Sequence, residues 1–191
     1  MRLFVAIEIP NDVRFAIGEL IKCLRDACRD AHWVRLAGLH ITLKFIGESP
    51  PEKLEDLKVA LKNIPPGAPI PLNFGGLGFF PNARRPSVLW AGVEAGPELG
   101  ALAAAIEGAL GPTADQQQEH RNFTPHLTLA RFKDSPAIDA LRLAIEKAGP
   151  LKFGGTTATE FHLYQSVLKS GAAEYTRLAT FSLLGVHPSE F

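Results

Sequence analysis

The segments His40-Ile41-Thr42-Leu43 and His126-Leu127-Thr128-Leu129 repeat one His-x-Thr-apolar pattern, and each lies in an apolar run typical of a β-strand. Residues two apart on a strand point to the same face, so each segment presents an imidazole beside a hydroxyl. Two such strands facing each other would place two histidines around one small anionic group. The pattern therefore predicts acid/base chemistry on a phosphate without a metal.

The repetition extends beyond these two segments. Ser49-Pro50 lies nine residues after His40, and Ser135-Pro136 lies nine residues after His126. Serine followed by proline is typical of a capped helix start, so a helix is predicted after each pair. Two further pairs of segments match: Pro71–Gly76 with Pro150–Gly155, and the strand-helix units 3–29 and 88–110. The pattern indicates an internal duplication.

Length and composition fit one compact domain. The chain has 191 residues, of which 46% are hydrophobic and 21% charged, a composition that disfavours disorder. A chain of this size buries roughly 70% of its unfolded surface and needs no disulfide or metal for stability. We predict a single bilobal domain over 1–191, with pseudo-repeats at about 2–80 and 87–166 and a last strand at 175–184.

The charge balance restricts the kind of nucleic-acid contact that is expected. The formal net charge is zero, which disfavours a protein that coats long nucleic acids through a general positive field. Any RNA contact has to be local. The basic residues near the motifs form a candidate patch, namely Lys44, Arg84, Arg85, Arg131 and Lys133. Solvated surface charge is the alternative for Arg84, Arg85 and Lys133.

The cysteines and the N-terminus bear on location. Cys23 and Cys28 are five apart on the first predicted helix, which fits neither a disulfide nor a Cys-x-x-Cys metal site. Free thiols in a reducing compartment are expected. Residues 1–9 are typical of a strand rather than a signal peptide, and no run approaches the roughly 20 apolar residues of a membrane span. We expect a cytoplasmic monomer without a membrane contact.

Strand-like and helix-like segments alternate imperfectly along the chain. Strands are predicted at 2–9, 40–46, 70–79, 87–94, 126–132, 151–164 and 175–184, and helices at 11–29, 51–62, 97–110 and 137–147. Pro81-Asn82 and Ser170-Gly171 indicate turns between paired strands. This order favours an α+β fold over a doubly wound parallel sheet. We predict two antiparallel sheets flanking a central cleft, with helices outside.

Several other residues have simpler explanations than catalysis. A lone histidine in a strand is usually structural, and this interpretation applies to His32, His120, His162 and His187. The segment Phe74-Gly75-Gly76-Leu77-Gly78 lacks both the lysine of a P-loop and the glycine spacing of a dinucleotide site. Its glycines are predicted to serve a turn or a bulge.

Both His-x-Thr-x motifs are intact, and with the segments Leu39–Glu48, Phe80–Val93 and Phe123–Arg131 they resemble the 2H phosphoesterase superfamily. Within it, the chain is similar to the bacterial and archaeal RNA 2′,3′-cyclic phosphodiesterases, once described as 2′-5′ RNA ligases. The resemblance covers nearly the whole chain. It implies metal-independent hydrolysis of 2′,3′-cyclic phosphate ends, on RNA or a small nucleotide, to 2′-phosphomonoesters without a cofactor.

The resemblance also implies roles for individual residues. It makes His40 the proton donor and His126 the proton acceptor, with the hydroxyls of Thr42 and Thr128 on the phosphate oxygens. The two motifs are nearly equivalent, so the residues alone leave the two histidine roles open.

The family places an aromatic and a basic residue five positions after the histidines, here Phe45 and Arg131, where they would hold a terminal base. An odd offset points to the opposite face of a regular strand. A bulge or a strand end would have to turn both side chains into the cleft.

Three alternatives remain open from the residues. A metallohydrolase would use His40 and His126 as ligands, although no third ligand stands at a recognisable spacing. A non-catalytic RNA-binding module would keep the cleft and lose turnover. A related 2H enzyme would act on a small cyclic nucleotide or ADP-ribose 1″,2″-cyclic phosphate, or carry out reversible 2′-5′ ligation.

Overall fold

The computed structural model describes residues 1–111, 123–133, 138–169 and 172–184. The strands of this part of the chain are β1 (Arg2–Glu8), β2 (His32–Trp33), β3 (His40–Glu48), β4 (Ile70–Phe80), β5 (Val88–Ala95), β6 (His126–Arg131), β7 (Lys152–Ala158), β8 (Glu160–Lys169) and β9 (Ala172–Ser182). The α-helices are α1 (Asn11–Arg25), α2 (Leu54–Lys62), α3 (Pro97–Leu110) and α4 (Asp139–Ala148). The predicted α+β class is confirmed.

The strands form two antiparallel sheets. The first has the order β3-β1-β8-β9 and the second has the order β2-β6-β5-β4-β7. The strand with the first motif, β3, is the edge of its sheet, and the strand with the second motif, β6, lies between β2 and β5. Although they belong to different sheets, β3 and β6 contact each other. The two motifs therefore meet where the sheets come together.

Along the described strands the chain passes from one sheet to the other four times, before β2, β3, β4 and β8. β4 belongs to the first predicted repeat but pairs with β5 and β7 in the second sheet. β8 pairs with β1 in the first sheet. Each sheet therefore combines strands from both predicted repeats, and the duplication itself stays a prediction.

The helices connect the sheets to each other. The buried side chains of α1, from Val13 through Ile17 and Ile21 to Leu24, recur at helical spacing and form one apolar face. This helix follows β1 of the first sheet but packs against β7 of the second sheet and against α4. Conversely, α3 follows β5 of the second sheet and packs against β3 of the first and against α2.

The first predicted helix is too long. It was expected over 11–29, and α1 ends at Arg25. Beyond this point Ala27 N donates to Leu24 O at 3.1 Å and Cys28 N donates to Arg25 O at 3.2 Å, so three-residue turns replace the helical bonds. Cys28 is nevertheless buried, which is why the apolar pattern continued past the helix end. Both cysteines are free thiols.

The strand predicted over 151–164 is wrong as a single element. It consists of β7 in the second sheet and β8 in the first, with the chain changing sheets at Thr159, whose carbonyl accepts Leu183 N at 2.8 Å. No glycine or proline marks this change, so the sequence shows one continuous run. The strand β2 was missed because two residues are too few to show alternation.

The predicted helix cap at Ser49 is wrong, whereas a predicted turn and a predicted bulge are confirmed. The helix expected over 51–62 begins as a 3₁₀ turn, Pro51–Lys53, before α2, and neither N-cap residue, Pro50 or Lys53, bonds through a side chain. Ser49 is therefore not the predicted cap. The turn at Pro81-Asn82 and the bulge near Gly76 are confirmed. Ser135-Pro136, Ser170-Gly171, His120 and His187 lie outside the described residues. No helix among the residues described is long and apolar enough to cross a membrane.

Candidate active site

The two motif histidines are held in the same way. His40 and His126 are the first residues of β3 and β6. Nδ1 of His40 lies 2.7 Å from Gly38 O, and Nδ1 of His126 lies 2.7 Å from Thr124 O. A carbonyl oxygen can only accept, so each Nδ1 carries the proton and donates it. In its neutral form each imidazole is therefore fixed in the tautomer that carries the proton on Nδ1 and has its acceptor lone pair on Nε2.

A bulge follows each motif at the same place. In β3, Thr42 lies opposite Ala6 and Lys44 opposite Val5, so Leu43 is an extra residue. In β6, Thr128 lies opposite Trp90 and Ala130 opposite Leu89, so Leu129 is the extra residue. Both segments share one burial pattern: half-buried, buried, half-buried, buried, buried, exposed. The two bulges are the same local structure built twice.

These bulges put Phe45 and Arg131 on the faces that carry the histidines. Phe45 lies opposite Phe4, whose ring centroid is 6.1 Å from that of Phe45 and 4.7 Å from that of His40. Arg131 is exposed, and its positive charge acts on His40 of the other sheet, whose pKa it lowers. Regular alternation would have placed residues five positions after the histidines on the opposite face. The bulge in each strand is what brings Phe45 and Arg131 to the same face as the histidines. Thr42 and Thr128 are half-buried on the same faces.

Aromatic rings surround both histidines. Around His40, Phe4 packs at 4.7 Å between ring centroids and Tyr175 meets the imidazole edge-on at 5.2 Å. Around His126, Phe80 lies edge-on at 4.9 Å, and the Trp90 ring lies at 6.3 Å. Sequence reasoning missed these four rings as parts of the site. Every side chain from Leu3 to Ile7 of β1 is buried, so alternation could not single out Phe4.

Trp90 carries an unused donor at this site. Its Nε1 is buried and has no hydrogen-bond partner among the described residues. The indole lies across from Gly78, where an added Cβ would come within 2.0 Å of the ring. Glycine at this position is therefore what allows the indole to lie flat on β4 beside His126. The indole N–H is thus enclosed between β4 and β5, and it is a buried donor without a partner in the described part of the chain.

The environment of His40 disfavours its charged form. Burial, together with the smaller effects of Arg14, His126 and Arg131, lowers the pKa of His40 to about 4, against the opposing effect of the hydrogen bond to Gly38. His40 is therefore neutral at pH 7 in the empty cleft. A bound anion between these cations would reverse the balance.

Arg14 organises the backbone in front of His40. Its Nε donates to Ile9 O at 3.2 Å, and a terminal nitrogen donates to Leu36 O at 2.8 Å. Leu36 begins the 3₁₀ turn Leu36–Gly38, whose last carbonyl accepts the His40 proton. Arg14 thus ties the turn to the end of β1. This arginine was also missed, since it lies on a helix far from either motif in the sequence.

The predicted basic patch is only partly supported. Lys44 is buried and pairs with Glu107 of α3 at 2.5 Å, so its assignment to an RNA-contacting patch is wrong. The bulge explains this, because it turns Lys44 inward as it turns Phe45 outward. Arg84, Arg85 and Lys133 are exposed, and Asn82 Oδ1 accepts the backbone N–H groups of both arginines.

Of the two other histidines that the structure describes, one is buried and the other is exposed. His162 is buried, and its Nδ1 lies 3.0 Å from Thr180 Oγ1 on the neighbouring strand. Burial lowers the pKa of His162. His32 is exposed on β2. In the ranges that the structure describes, no group of three or more His, Cys, Asp or Glu side chains could hold a metal ion.

Comparison with known proteins decides the family. The model of the 2′-5′ RNA ligase superfamily matches residues 13–168. The chain belongs to this superfamily. A protein of Thermus thermophilus named RNA 2′,3′-cyclic phosphodiesterase is 37% identical over 196 residues, which cover 100% of this chain and 94% of that protein. The predicted membership among the 2H phosphoesterases is confirmed.

Solved structures of the superfamily share the fold over nearly the whole chain. The crystal structure of TT0787 from Thermus thermophilus has a TM-score of 0.78 and 35% identity, covering 98% of this chain and 100% of that one. Escherichia coli LigT in complex with 3′-AMP has a TM-score of 0.74 and 30% identity, covering 97% and 98%. The arrangement of two antiparallel sheets with helices is therefore that of known superfamily members.

Proposed function

We propose that this protein hydrolyses 2′,3′-cyclic phosphodiester ends of RNA to 2′-phosphomonoesters without a metal, with His126 as general base and His40 as general acid. The observation that carries the proposal is the matched pair of Nδ1 hydrogen bonds, which hold the two motif imidazoles in the same way at the start of β3 and of β6. The relatives named RNA 2′,3′-cyclic phosphodiesterase support the substrate class. The reducing cytoplasm is the proposed compartment, in keeping with the two free thiols.

The proposed reaction needs one proton taken and one given. Nε2 of His126 accepts a proton from water while the water oxygen bonds to phosphorus. The bond from phosphorus to the 3′ oxygen breaks, and Nε2–H of His40 protonates that oxygen. The hydroxyls of Thr42 and Thr128 are the proposed donors to the non-bridging oxygens. Phe45 and Arg131 are the proposed contacts of the terminal base.

The acid role of His40 requires the substrate. Its pKa of about 4 in the empty cleft leaves it neutral at pH 7. A cyclic phosphodiester is an anion, and an anion within about 4–6 Å favours the protonated imidazole. Substrate binding would therefore favour the protonated form of His40, which is the form that acts as the general acid. The charge of Arg131 would be offset by the same anion.

A sulfur substitution tests the two roles separately. A thiolate leaves without prior protonation, so a cyclic substrate with sulfur at the 3′ position makes a general acid dispensable. We expect this substrate to restore turnover to His40→Ala but not to His126→Ala. Rescue of His126→Ala instead would reverse the assignment, and rescue of neither would contradict it.

Substrate comparison and chelation test the remaining parts of the proposal. Turnover is expected to be highest on a cyclic-phosphate-ended RNA, compared with a nucleoside 2′,3′-cyclic phosphate and ADP-ribose 1″,2″-cyclic phosphate. Phosphorus NMR should show the 2′-phosphate alone. Full activity after exhaustive EDTA treatment is expected, and a loss restored by one divalent ion would favour a metallohydrolase.

A further inference from the structure

A cavity of about 220 Å³ opens beside His40, and Phe45 is not among the residues that line it. Glu8 lies opposite His40 across β1 and β3, whereas Phe45 lies opposite Phe4 further along the same pair of strands. The cavity extends from Glu8 and His40 past Phe4 to Tyr164 and Arg177, which follow Phe4 across the sheet. The side chains that line it and bear on its chemistry are those of Phe4, Glu8, Arg14, His40, Tyr164 and Arg177.

The charged groups of this cavity are unequal in number. A terminal nitrogen of Arg14 donates to one oxygen of Glu8 at 3.2 Å, and Arg177 donates to the other oxygen. One carboxylate is thus shared by two guanidinium groups, so these three side chains together carry one positive charge, and Glu160 outside the cavity also acts on Arg177. The Tyr164 side chain also interacts with Arg177. Arg14 is further fixed by two backbone carbonyls, so the cavity wall is preorganised.

The position of the cavity relative to the proposed site limits what can reach it. If the cyclic phosphate lies between the histidines and the base lies on Phe45, the ribose bridges them. The group still to be placed is the substituent on the 5′ oxygen of that ribose. Guanidinium groups bind phosphate through paired, charge-assisted hydrogen bonds, and an excess positive charge favours an anion there.

We propose that this cavity binds a phosphate on the 5′ oxygen of the terminal nucleotide, with Arg177 as its main contact. The inference rests on the proposed cyclic phosphodiesterase function. The 5′ phosphate can be the linkage to the preceding nucleotide of an RNA or a terminal phosphomonoester, since both present the same anionic oxygens. The site would thus distinguish nucleotides that carry a 5′ phosphate from bare nucleosides.

Three substrates separate these sources. They are a nucleoside 2′,3′-cyclic phosphate, the same compound with a 5′ phosphate, and a dinucleotide ending in the cyclic phosphate. For the unaltered protein we expect kcat/KM to be about tenfold higher for the second and third than for the first, the size of one charge-assisted hydrogen bond. A gain with the dinucleotide alone would assign the cavity to a second nucleoside and overturn the proposal.

Charge variants test the contact itself through the ratio of kcat/KM with and without the 5′ phosphate. Arg177→Gln should bring this ratio near unity, whereas Glu8→Gln, which removes the shared carboxylate, should raise it. Arg35→Gln is the matched control, because Arg35 is exposed, lies outside the cavity and pairs with Glu174 at 4.0 Å. Thermal unfolding of each variant checks that the fold is kept, and Arg177→Lys provides a second, charge-retaining variant with an intermediate ratio.

The outcomes separate this proposal from the function on which it rests. Hydrolysis of all three substrates at equal efficiency by the unaltered protein would leave the phosphodiesterase standing and remove the subsite. Equal ratios in the unaltered protein and Arg177→Gln would do the same. Absence of turnover on every cyclic phosphate would instead remove the proposed function.

Discussion

Lys44 of β3 and Glu107 of α3 form an ion pair in which Nζ and Oε2 are 2.5 Å apart. The Lys44 side chain is 1% exposed and that of Glu107 is 44% exposed. The pair therefore joins the bulge after the first motif to a helix that follows a strand of the other sheet. Because the lysine is buried and the glutamate is partly exposed, removing one partner should change the free energy of unfolding by a different amount than removing the other.

Removal of Glu107 should cost more stability than removal of Lys44. Glu107→Gln leaves a buried ammonium without its carboxylate, at a cost of about 1–3 kcal/mol in the free energy of unfolding. Lys44→Met leaves a carboxylate that water can reach, and a change of less than about 1 kcal/mol is expected. Urea unfolding measures both. A larger loss in Lys44→Met would show that the pair is not the source of the asymmetry.

The motif histidines should dominate turnover. We expect His40→Ala and His126→Ala each to lower kcat by about 10² to 10⁴-fold, because a general acid and a general base each contribute that much. Thr42→Ala and Thr128→Ala should lower it less. Lys22→Ala, at an exposed position on α1, serves as the control and should retain full activity. Near-normal turnover of a cyclic phosphate by either motif variant would remove the two-histidine mechanism.

Phe45 should act on binding more than on chemistry. Stacking of a base on an aromatic ring contributes about 1–3 kcal/mol, so Phe45→Ala should raise KM by about tenfold while kcat changes little. Arg131→Gln should raise KM in the same direction. Phe15→Ala is the matched control, since Phe15 is 69% exposed on α1. A fall in kcat alone would place Phe45 in the chemical step.

Stability should depend on pH through His40. Its pKa is lowered from 6.5 to about 4, so the unfolded chain binds a proton at higher pH than the folded protein does. The stabilisation is therefore complete above pH 6.5 and is lost as the pH falls from 6.5 to 4, by up to about 3 kcal/mol. The difference in free energy of unfolding between the native protein and His40→Gln should shrink across this range. A constant difference would contradict the lowered pKa.

The pH dependence of catalysis should report His40 both without substrate and with substrate bound. The reactive histidine pair carries one proton, so activity falls at low pH when the pair takes up a second one. In kcat/KM, which reports the free enzyme, this acidic limb is expected near pH 4, where His40 titrates in the empty cleft. In kcat the limb should move to higher pH, because the bound phosphodiester anion raises the pKa of His40. If the acidic limbs of the kcat/KM and kcat profiles fell at the same pH, the proposed protonation of His40 on substrate binding would be contradicted.

The sequence predicted the strand positions of the motif residues better than it predicted how the chain passes between the two sheets. The repeated motif placed His40, Thr42, His126 and Thr128 correctly on strands, because period-two alternation is a local property. The bulge at Leu43 was required by the five-residue offset of Phe45, although no glycine marks it. By contrast, Arg14 and Phe4 reach the site only through tertiary packing. The change of sheet at Thr159 has no local signal either.

The placement of β4 and β8 in sheets formed by strands of the other predicted repeat has a consequence for how the protein unfolds. A fragment ending before β5 would contain β4 without β5 or β7, its neighbours, and β1 without β8. The complementary fragment would hold β8 and β9 without β1. Neither half could complete its own hydrogen-bond ladder, so unfolding should be all-or-none. The two imidazoles are thus brought together or lost in a single cooperative event.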